Sequence, residues 1–274
     1  MLSLVVLDTC VIFPMPLCDT LLRAAEAEFY RLYFSQEILD EVTRNLVEKG
    51  KMTEAKAARY QAHIKNAFPE AIVEVPQQLI ERMTNHPKDR HVVAAAVKTK
   101  ADIIVTFNLK DFPKEALEPF GIEAQHPDDF LLDLCEFFSV SSLAQIIREQ
   151  AASLKRLPNT IRDVLNRLSR QVPKFAGKIL CHEYGDFIVE IAQKTLKTVG
   201  TVLADGERVY EGKQYRLWQK NRTLTITDKN SRGEILRSKC GRIEGNFLLE
   251  DLEKFEEFNH KLDYELEQSR QSFS

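Results

Sequence analysis

The sequence predicts a doubly wound parallel α/β sheet flanked by helices, followed by a small antiparallel β-rich module that ends in a helix. Three observations carry this. Short, continuous, branched apolar runs such as Leu4–Leu7 and Ile103–Thr106 alternate with amphipathic helical stretches up to about residue 126, the pattern of buried parallel strands. After Pro173 the segments turn short and alternating, with Gly-containing turns between them. From Phe247 to about Gln268 the spacing of Leu248, Leu252, Phe255, Phe258 and Leu262 is helical again.

The elements follow in order. Leu4–Leu7 reads as a first strand and Leu17–Glu28 as a helix. Tyr30–Phe34 is a second strand, and Ser35 is placed to N-cap a helix to about Lys49 with Leu39, Val42 and Leu46 on one face. Thr53 caps a helix to about Phe68, Ala71–Val75 is a short strand, and Gln77–Met83 a short helix before the turn His86-Pro87-Lys88. Asp89 opens an Ala-rich helix to about Lys98. Ile103–Thr106 is a further strand, with Asn108, Asp111 and Pro113 in the loop after it, and Ile122–Ala124 is an edge strand. Helices are expected around Pro127–Phe138, Val140–Leu154 and Thr160–Leu168. The β-rich part is expected to comprise Phe187–Ala192, Thr198–Leu203, Gln214–Gln219 and Thr223–Thr227, with turns at Asp205-Gly206, Glu211-Gly212 and Ser231-Arg232-Gly233. The domains expected from this are 1–138, a helical extension 139–176, and 177–274.

A chain of 274 residues with 44% hydrophobic and 29% charged residues suits a soluble protein of about two domains. No apolar run is long enough to span a membrane. Met1 stands directly before the first strand without a basic and apolar leader, which argues against a secretory signal. The five cysteines, Cys10, Cys18, Cys135, Cys181 and Cys240, are scattered and never arranged as C-x-x-C. A zinc ribbon or disulfide framework is therefore unsupported, and a cytoplasmic location is expected. The net charge of −3 hides an asymmetry: Gly212–Arg242 holds nine Lys or Arg against two acids, whereas the stretch from Leu248 onward holds eight acids against three bases.

Asp8 is the most telling residue, an acid at the exit of a buried strand, where ionisation is costly unless something offsets it. Ligands of open α/β sheets gather at the carboxyl ends of the strands. Asn108 and Asp111 emerge at that edge if the strands are parallel, and Asp89 and Glu41, each early in a helix, can lean over it. Carboxylates crowded there would repel one another. Mg²⁺ or Mn²⁺, which prefer oxygen ligands, relieves that repulsion and activates water for phosphodiester hydrolysis.

At these residues the chain resembles the PIN-domain nucleases, the fold of VapC-type toxins. The matching pieces are Val5-Val6-Leu7-Asp8-Thr9, Ser35-Gln36-Glu37-Ile38-Leu39-Asp40-Glu41-Val42, the run Asp89 to Ala96, and the run Ile104 to Pro113. The run Gly121–Phe130 and the helices to about residue 176 are similar to one branch of that family, whereas 177–274 lies outside the resemblance. The resemblance implies a metal-activated water attacking single-stranded RNA to leave a 3′-hydroxyl and a 5′-phosphate. That chemistry does not need the 2′-hydroxyl and so leaves single-stranded DNA open as a substrate. It implies Asp8, Glu41 and Asp89 as metal-binding acids. The fourth position falls on Asn108, where many relatives carry Asp, and Asn108 and Asp111 are expected to share the role. Cys10 departs from the Asn often found two residues after the first acid. A cognate antitoxin protein and a homodimer are the implied partners.

Other readings stand beside these. Thr9 and Thr106 hold Asp8 and a metal-bound water through their hydroxyls, or cap local backbone. Arg44 contacts a phosphate, or pairs with Asp40 or Glu41. His86 and His91 lack a third nitrogen or sulfur ligand at useful spacing, so a zinc site is not expected, and His91 packs beside Asp89 or faces solvent. Tyr215 and Trp218 among Lys213, Arg216, Lys220 and Arg222 either bind nucleic acid or form a solvated hairpin with two aromatics turned into a small core. Two rival functions remain. One is a phosphatase with Asp8 as nucleophile, which wants an acid where Cys10 stands. The other is a non-catalytic RNA-binding or adaptor protein in which Asn108 marks a decayed site.

Overall fold

Each strand of the first sheet is short because the chain turns from strand to helix at a capping residue or a tight turn. The computed structural model describes residues 2–13, 15–153, 160–203, 205–230 and 232–271. They fall into two compact units, Met1–Ser139 and Val140–Ser274. Met1, Leu154 at the end of one expected helix, and Ser231 of one expected turn lie outside the described residues.

In the first unit the order is β1 (Leu4–Leu7), α1 (Thr9–Ile12), α2 (Met15–Glu26), β2 (Arg31–Ser35), α3 (Gln36–Glu48), α4 (Glu54–Ala67), β3 (Ile72–Val73) and α5 (Gln77–Glu81). Then come α6 (Arg90–Thr99), β4 (Ile103–Val105), α7 (Lys114–Leu117), β5 (Glu123–Gln125) and α8 (Pro127–Phe137). The sheet runs β3-β2-β1-β4-β5 and every pairing is parallel, with Val5 opposite Leu32 and Ile103. Strand order reverses between β1 and β4, so these central strands separate at their carboxyl ends, where doubly wound sheets place ligands.

Val5, Val6 and Leu7 are wholly buried and α6 packs Val92–Ala96 against the sheet. Burying each of the larger side chains contributes about 1.5–3 kcal/mol. The Ser35 and Thr53 side chains accept the third backbone N–H of α3 and α4, so both helices start where the caps predicted. Asp89 stands at the N-cap position of α6 but its side chain makes no capping bond.

The second unit contains α9 (Val140–Ser153), α10 (Ile161–Leu168), α11 (Pro173–Thr198), β6 (Thr201–Val202), β7 (Arg208–Glu211), β8 (Tyr215–Lys220), β9 (Thr223–Asp228), β10 (Gly233–Lys239), β11 (Arg242–Gly245) and α12 (Leu249–Gln271). Thr160 and Asp163 form a reciprocal capping box at α10. The sheet is a six-stranded antiparallel meander in sequence order. Along β9, Leu224, Ile226 and Asp228 alternate inward. The β8–β9 hairpin turns through Asn221-Arg222, with Asn221 at positive φ, and β10–β11 through Cys240-Gly241, both at positive φ as a type I′ turn requires.

The β-branched run Phe187–Ala192, expected as a strand, instead lies inside the 26-residue α11, which also continues unbroken across residues 176 and 177. Ile188, Ile191, Ala192, Thr195 and Leu196 are buried at helical spacing, so packing on one helical face overrides their β preference. Thr198–Leu203 shrinks to the two-residue β6, because α11 runs on through Thr198. Gly177 and Gly185 let α11 approach the residues it packs on: a Cβ on Gly185 would meet the Ile243 side chain of β11 at 3.0 Å.

Candidate metal centre of the parallel sheet

Asp8 leaves β1 at the reversal of strand order, and its backbone N–H donates to the Val105 carbonyl (3.1 Å), continuing the β1–β4 ladder by one rung. The side chain is only 3% exposed. Its Oδ2 accepts from the Thr106 hydroxyl (2.7 Å) and from the Cys10 thiol (3.0 Å). Thr106 in turn accepts from the Asn108 N–H (3.0 Å), and Cys10 Sγ accepts from the Phe107 N–H (3.2 Å). Thus the residues after β4 hold the acid after β1. Burial pushes the Asp8 carboxyl above its ordinary value, against the opposing hydrogen bonds from Cys10 and Thr106, and nearby Glu41 adds to the rise. Burial beside Asp8 also pushes the Cys10 thiol up to about 12, so it stays a neutral donor.

Glu41 reaches the same edge from the second turn of α3. The Thr9 hydroxyl donates to its Oε2 (3.0 Å), and His91 Nε2 lies 3.3 Å from the same oxygen. The His91 approach is at ion-pair distance without the alignment of a hydrogen bond, so that buried nitrogen has no hydrogen-bond partner. His91 chiefly, then Thr9 and Arg44, hold Glu41 below the usual carboxylate range despite partial burial. Burial alone would depress His91, but the Glu41, Asp8 and Asp89 charges outweigh it and raise its pKa. His91 therefore neither faces solvent nor simply packs beside Asp89. Arg44 is exposed and acts on Glu41 through charge.

Asp89 and Asp111 are drawn together by backbone contacts between their loops. The His86 N–H (3.3 Å) and the Asn85 side-chain amide (3.4 Å) both donate to the Asp111 carbonyl. His86 Nδ1 lies 3.2 Å from Asp89 Oδ2. Ligating atoms of His86, Asp89 and Asp111 all lie within 4.8 Å of one another, the one such trio among the described residues. Burial first, then the charges of Asp8 and Asp111, push the Asp89 carboxyl up. Asp8, Glu41, Asp89 and Asp111 thus share one field at one sheet edge, although the tightest trio is not Asp8, Glu41 and Asp89. Asn108 is exposed, and its carbonyl accepts the Asp111 N–H (2.8 Å) in the turn that carries Asp111 inward.

This donor set fits a hard divalent cation. Carboxylate oxygens dominate, and burial first, then the neighbouring acids, raises two of the four, so an added positive charge would relieve the group. The histidines are what sequence reasoning missed. They flank Asp89 at minus three and plus two, a signal hidden by the search for a nitrogen- and sulfur-rich trio.

The basic positions of the β module are arranged differently. Lys220 pairs with Asp205 (2.8 Å) and Glu207 (2.7 Å), Arg216 with Glu211 (2.9 Å), and the Trp218 indole donates to Glu207 (2.9 Å). Lys213 and Arg222 are exposed and carry no ion pair among the described residues. The aromatic pair therefore divides: Tyr215 turns to Phe255 (5.0 Å between centroids) and donates to buried Asp251 (2.5 Å).

Residues 4–110 match the PIN domain, and residues 127–181 match the VapC50 C-terminal domain. The chain is 49% identical over 100 residues to the protein named "Putative ribonuclease VapC50" of Mycobacterium tuberculosis, a match covering 36% of this chain and 59% of that relative's length. No solved structure matches. Among the described residues no single helix is long and apolar enough to cross a membrane.

Proposed function

We propose that this chain, which matches the PIN domain over residues 4–110 and the VapC50 C-terminal domain over residues 127–181, is a metal-dependent endoribonuclease acting on single-stranded RNA, the toxin of a toxin–antitoxin pair. The observation that supports this most is the meeting of Asp8, Glu41, Asp89 and Asp111 at the carboxyl edge of β1 and β4, with Asp8 and Asp89 pushed up by burial and by neighbouring acids. Mg²⁺ or Mn²⁺, when bound, supplies a nucleophilic water and neutralises charge developing on the phosphate.

The residues have separate tasks in this reading. Asp8, Glu41, Asp89 and Asp111 would hold the cation, and Asn108 would offer its amide oxygen as a neutral ligand where a fifth acid would add charge. Thr106 and Cys10 fix the Asp8 carboxylate through donated hydrogen bonds, and Thr9 fixes Glu41. His91 offsets part of the Glu41 charge. Exposed Arg44, one turn beyond Glu41, is placed to meet a substrate phosphate. A cognate antitoxin would block the acidic edge, a second copy of the chain is the further partner, and the setting is cytoplasmic.

The test is cleavage of single-stranded RNA by the purified full chain in Mn²⁺. Cleavage to products with a 3′-hydroxyl and 5′-phosphate, lost on chelation and in Asp89→Ala, is the expected result. No cleavage over a range of divalent cations and RNAs would sink the proposal in favour of a non-catalytic adaptor.

A further inference from the structure

A second binding element lies wholly in the second unit. The β7–β8 hairpin and one face of α12 enclose a cavity of about 350 Å³. Its walls are aromatic. Tyr210 meets Phe258 at 5.7 Å between centroids, tilted by 47°, and Tyr215 meets Phe255 at 5.0 Å, tilted by 35°. Tyr215 is fixed by its bond to Asp251, whereas Tyr210 and Phe258 are half-buried and keep ring surface open. Gly212 forms part of the rim. A Cβ there would sit 3.1 Å from the Tyr210 ring, so the absent side chain leaves that ring accessible.

Three lysines line this slot: Lys213 from the hairpin, and Lys254 and Lys261 from α12. Lys213 and Lys261 are exposed with no ion pair among the described residues, and Lys254 stands 3.9 Å from Glu250. Glu257 is the one acid of the lining, so the slot is a cationic patch on an otherwise acidic helix. Lys254 and Lys261 are seven residues apart, about 10.5 Å along the helix axis.

We infer that this slot binds single-stranded RNA, taking a base against the Tyr210 and Phe258 rings while Lys213, Lys254 and Lys261 meet the flanking phosphates. Aromatic faces beside cations are the general means of holding a single strand, since every base has a π-face and every linkage a charge. The volume suits one nucleotide, near the lower end of small-ligand pockets. An acidic amphipathic helix needs a longer apolar groove to seat its side chains over two turns. The residues only partly coincide with those expected from sequence. Arg216, Lys220 and Trp218 are held by acids of β7 and the turn before it, Lys213 lines the slot, and Lys254 and Lys261 of α12 complete it. The proposed ligand rests on the ribonuclease reading but is tested apart from it.

The experiment uses the full chain carrying Asp89→Ala in EDTA, so that no cleavage intervenes, with fluorescently labelled 12-nucleotide oligo(U) and oligo(A) across a salt series. Adding Lys213→Gln with Lys261→Gln should weaken binding about tenfold at ~0.1 M salt and flatten the log–log salt slope by about 1.4, roughly 0.7 for each phosphate no longer neutralised. Tyr210→Ala should weaken binding about tenfold at all salt concentrations, the scale of one missing base stack. Lys239→Gln, an exposed charge on β10, should leave affinity unchanged. Unchanged affinity in the double lysine variant overturns the inference, as does an equal loss in Lys239→Gln. Binding of a polyglutamate peptide through Lys213 and Lys261, with no binding of RNA, would also overturn it and assign the slot to a protein partner. Mn²⁺-dependent cleavage by the unmodified chain reports on the ribonuclease reading separately, so either can fail alone.

Discussion

Asp8 and Asp228 are buried to a similar degree, 3% and 5% exposed, yet their surroundings are opposite. Asp228, on the second sheet, accepts from the Asn230 N–H (2.9 Å) and Arg232 Nε (2.9 Å). Those bonds, the backbone one first, hold its carboxyl below the ordinary value. The same Arg232 reaches Asp251, which is wholly buried and also receives the Tyr215 hydroxyl. Asp8 has hydroxyl and thiol donors but, among the described residues, no ion pair of its own; Glu41 and Asp89 share its field, and the one nearby base, His91, is paired with Glu41. A buried acid matched by a fixed cation serves the fold. Buried acids that face one another are stable as a group only with an added positive charge, and that separates a structural from a functional cluster.

The largest expected effect breaks the functional side alone. Asp8→Asn keeps an oxygen for Thr106 and Cys10 to bond but removes a charge. Metal-dependent RNA cleavage should fall by at least about 100-fold, the scale of losing one preorganised electrostatic group. The melting temperature in EDTA should hold or rise, since burial and like charge both oppose the ionised acid. Differential scanning calorimetry beside a cleavage assay checks both halves.

Arg232→Met should do the reverse. It removes the guanidinium paired with both Asp228 and wholly buried Asp251, at a cost of about 3–5 kcal/mol, read as a lower denaturation midpoint. Binding of Mn²⁺ by the folded protein should be unaffected.

Gly245→Ala probes the second unit sterically rather than electrically. A Cβ there would stand 2.4 Å from the Ile235 backbone carbonyl, so the β10–β11 ladder must shift. A loss of about 1–3 kcal/mol in urea unfolding is expected, the range for overpacking.

The smallest effect is a pH profile that separates the two classes in one scan. Acids with raised folded pKa values, Asp8 and Asp89, cost stability when ionised, and this cost disappears as pH falls through their raised values. Asp228 is lowered, so its contribution is complete above the unfolded value of 3.8 and is lost as pH falls through its folded value. In EDTA the melting temperature should therefore rise slightly from neutral to mildly acid pH and drop below about pH 4. The rise should shrink in Asp8→Asn with Asp89→Asn to the part that His91 contributes by protonating beside Glu41, and the drop should persist.

How much of this the sequence carried depends on whether the signal was local. Ser35 and Thr53 announce their helices because a cap acts within one turn. Leu4–Leu7 announces a central strand because both faces are buried. Asp8 stood out because a lone acid after such a strand has no local explanation. The pairing of Asp89 with Asp111 through the His86 and Asn85 hydrogen bonds is a loop-to-loop event with no sequence period, so the histidines could not be placed beforehand. In the second unit, Phe187–Ala192 carries strand propensity, and only the burial of Ile188, Ile191 and Ala192 on one side of α11 decides for helix. The pairing of Arg216 with Glu211 across β7 and β8, and of Lys220 with Asp205 and Glu207 of the turn before β7, also depends on spatial neighbours that composition does not reveal.

Calorimetric titration of Mn²⁺ into the full chain at pH ~7.5, where the buried acids must ionise to hold the cation, tests the central contrast directly. Saturable binding is expected, abolished by Asp8→Asn and by Asp89→Asn and retained in Arg232→Met. Saturable binding left intact by both aspartate changes, or no binding to the unaltered chain, would contradict it.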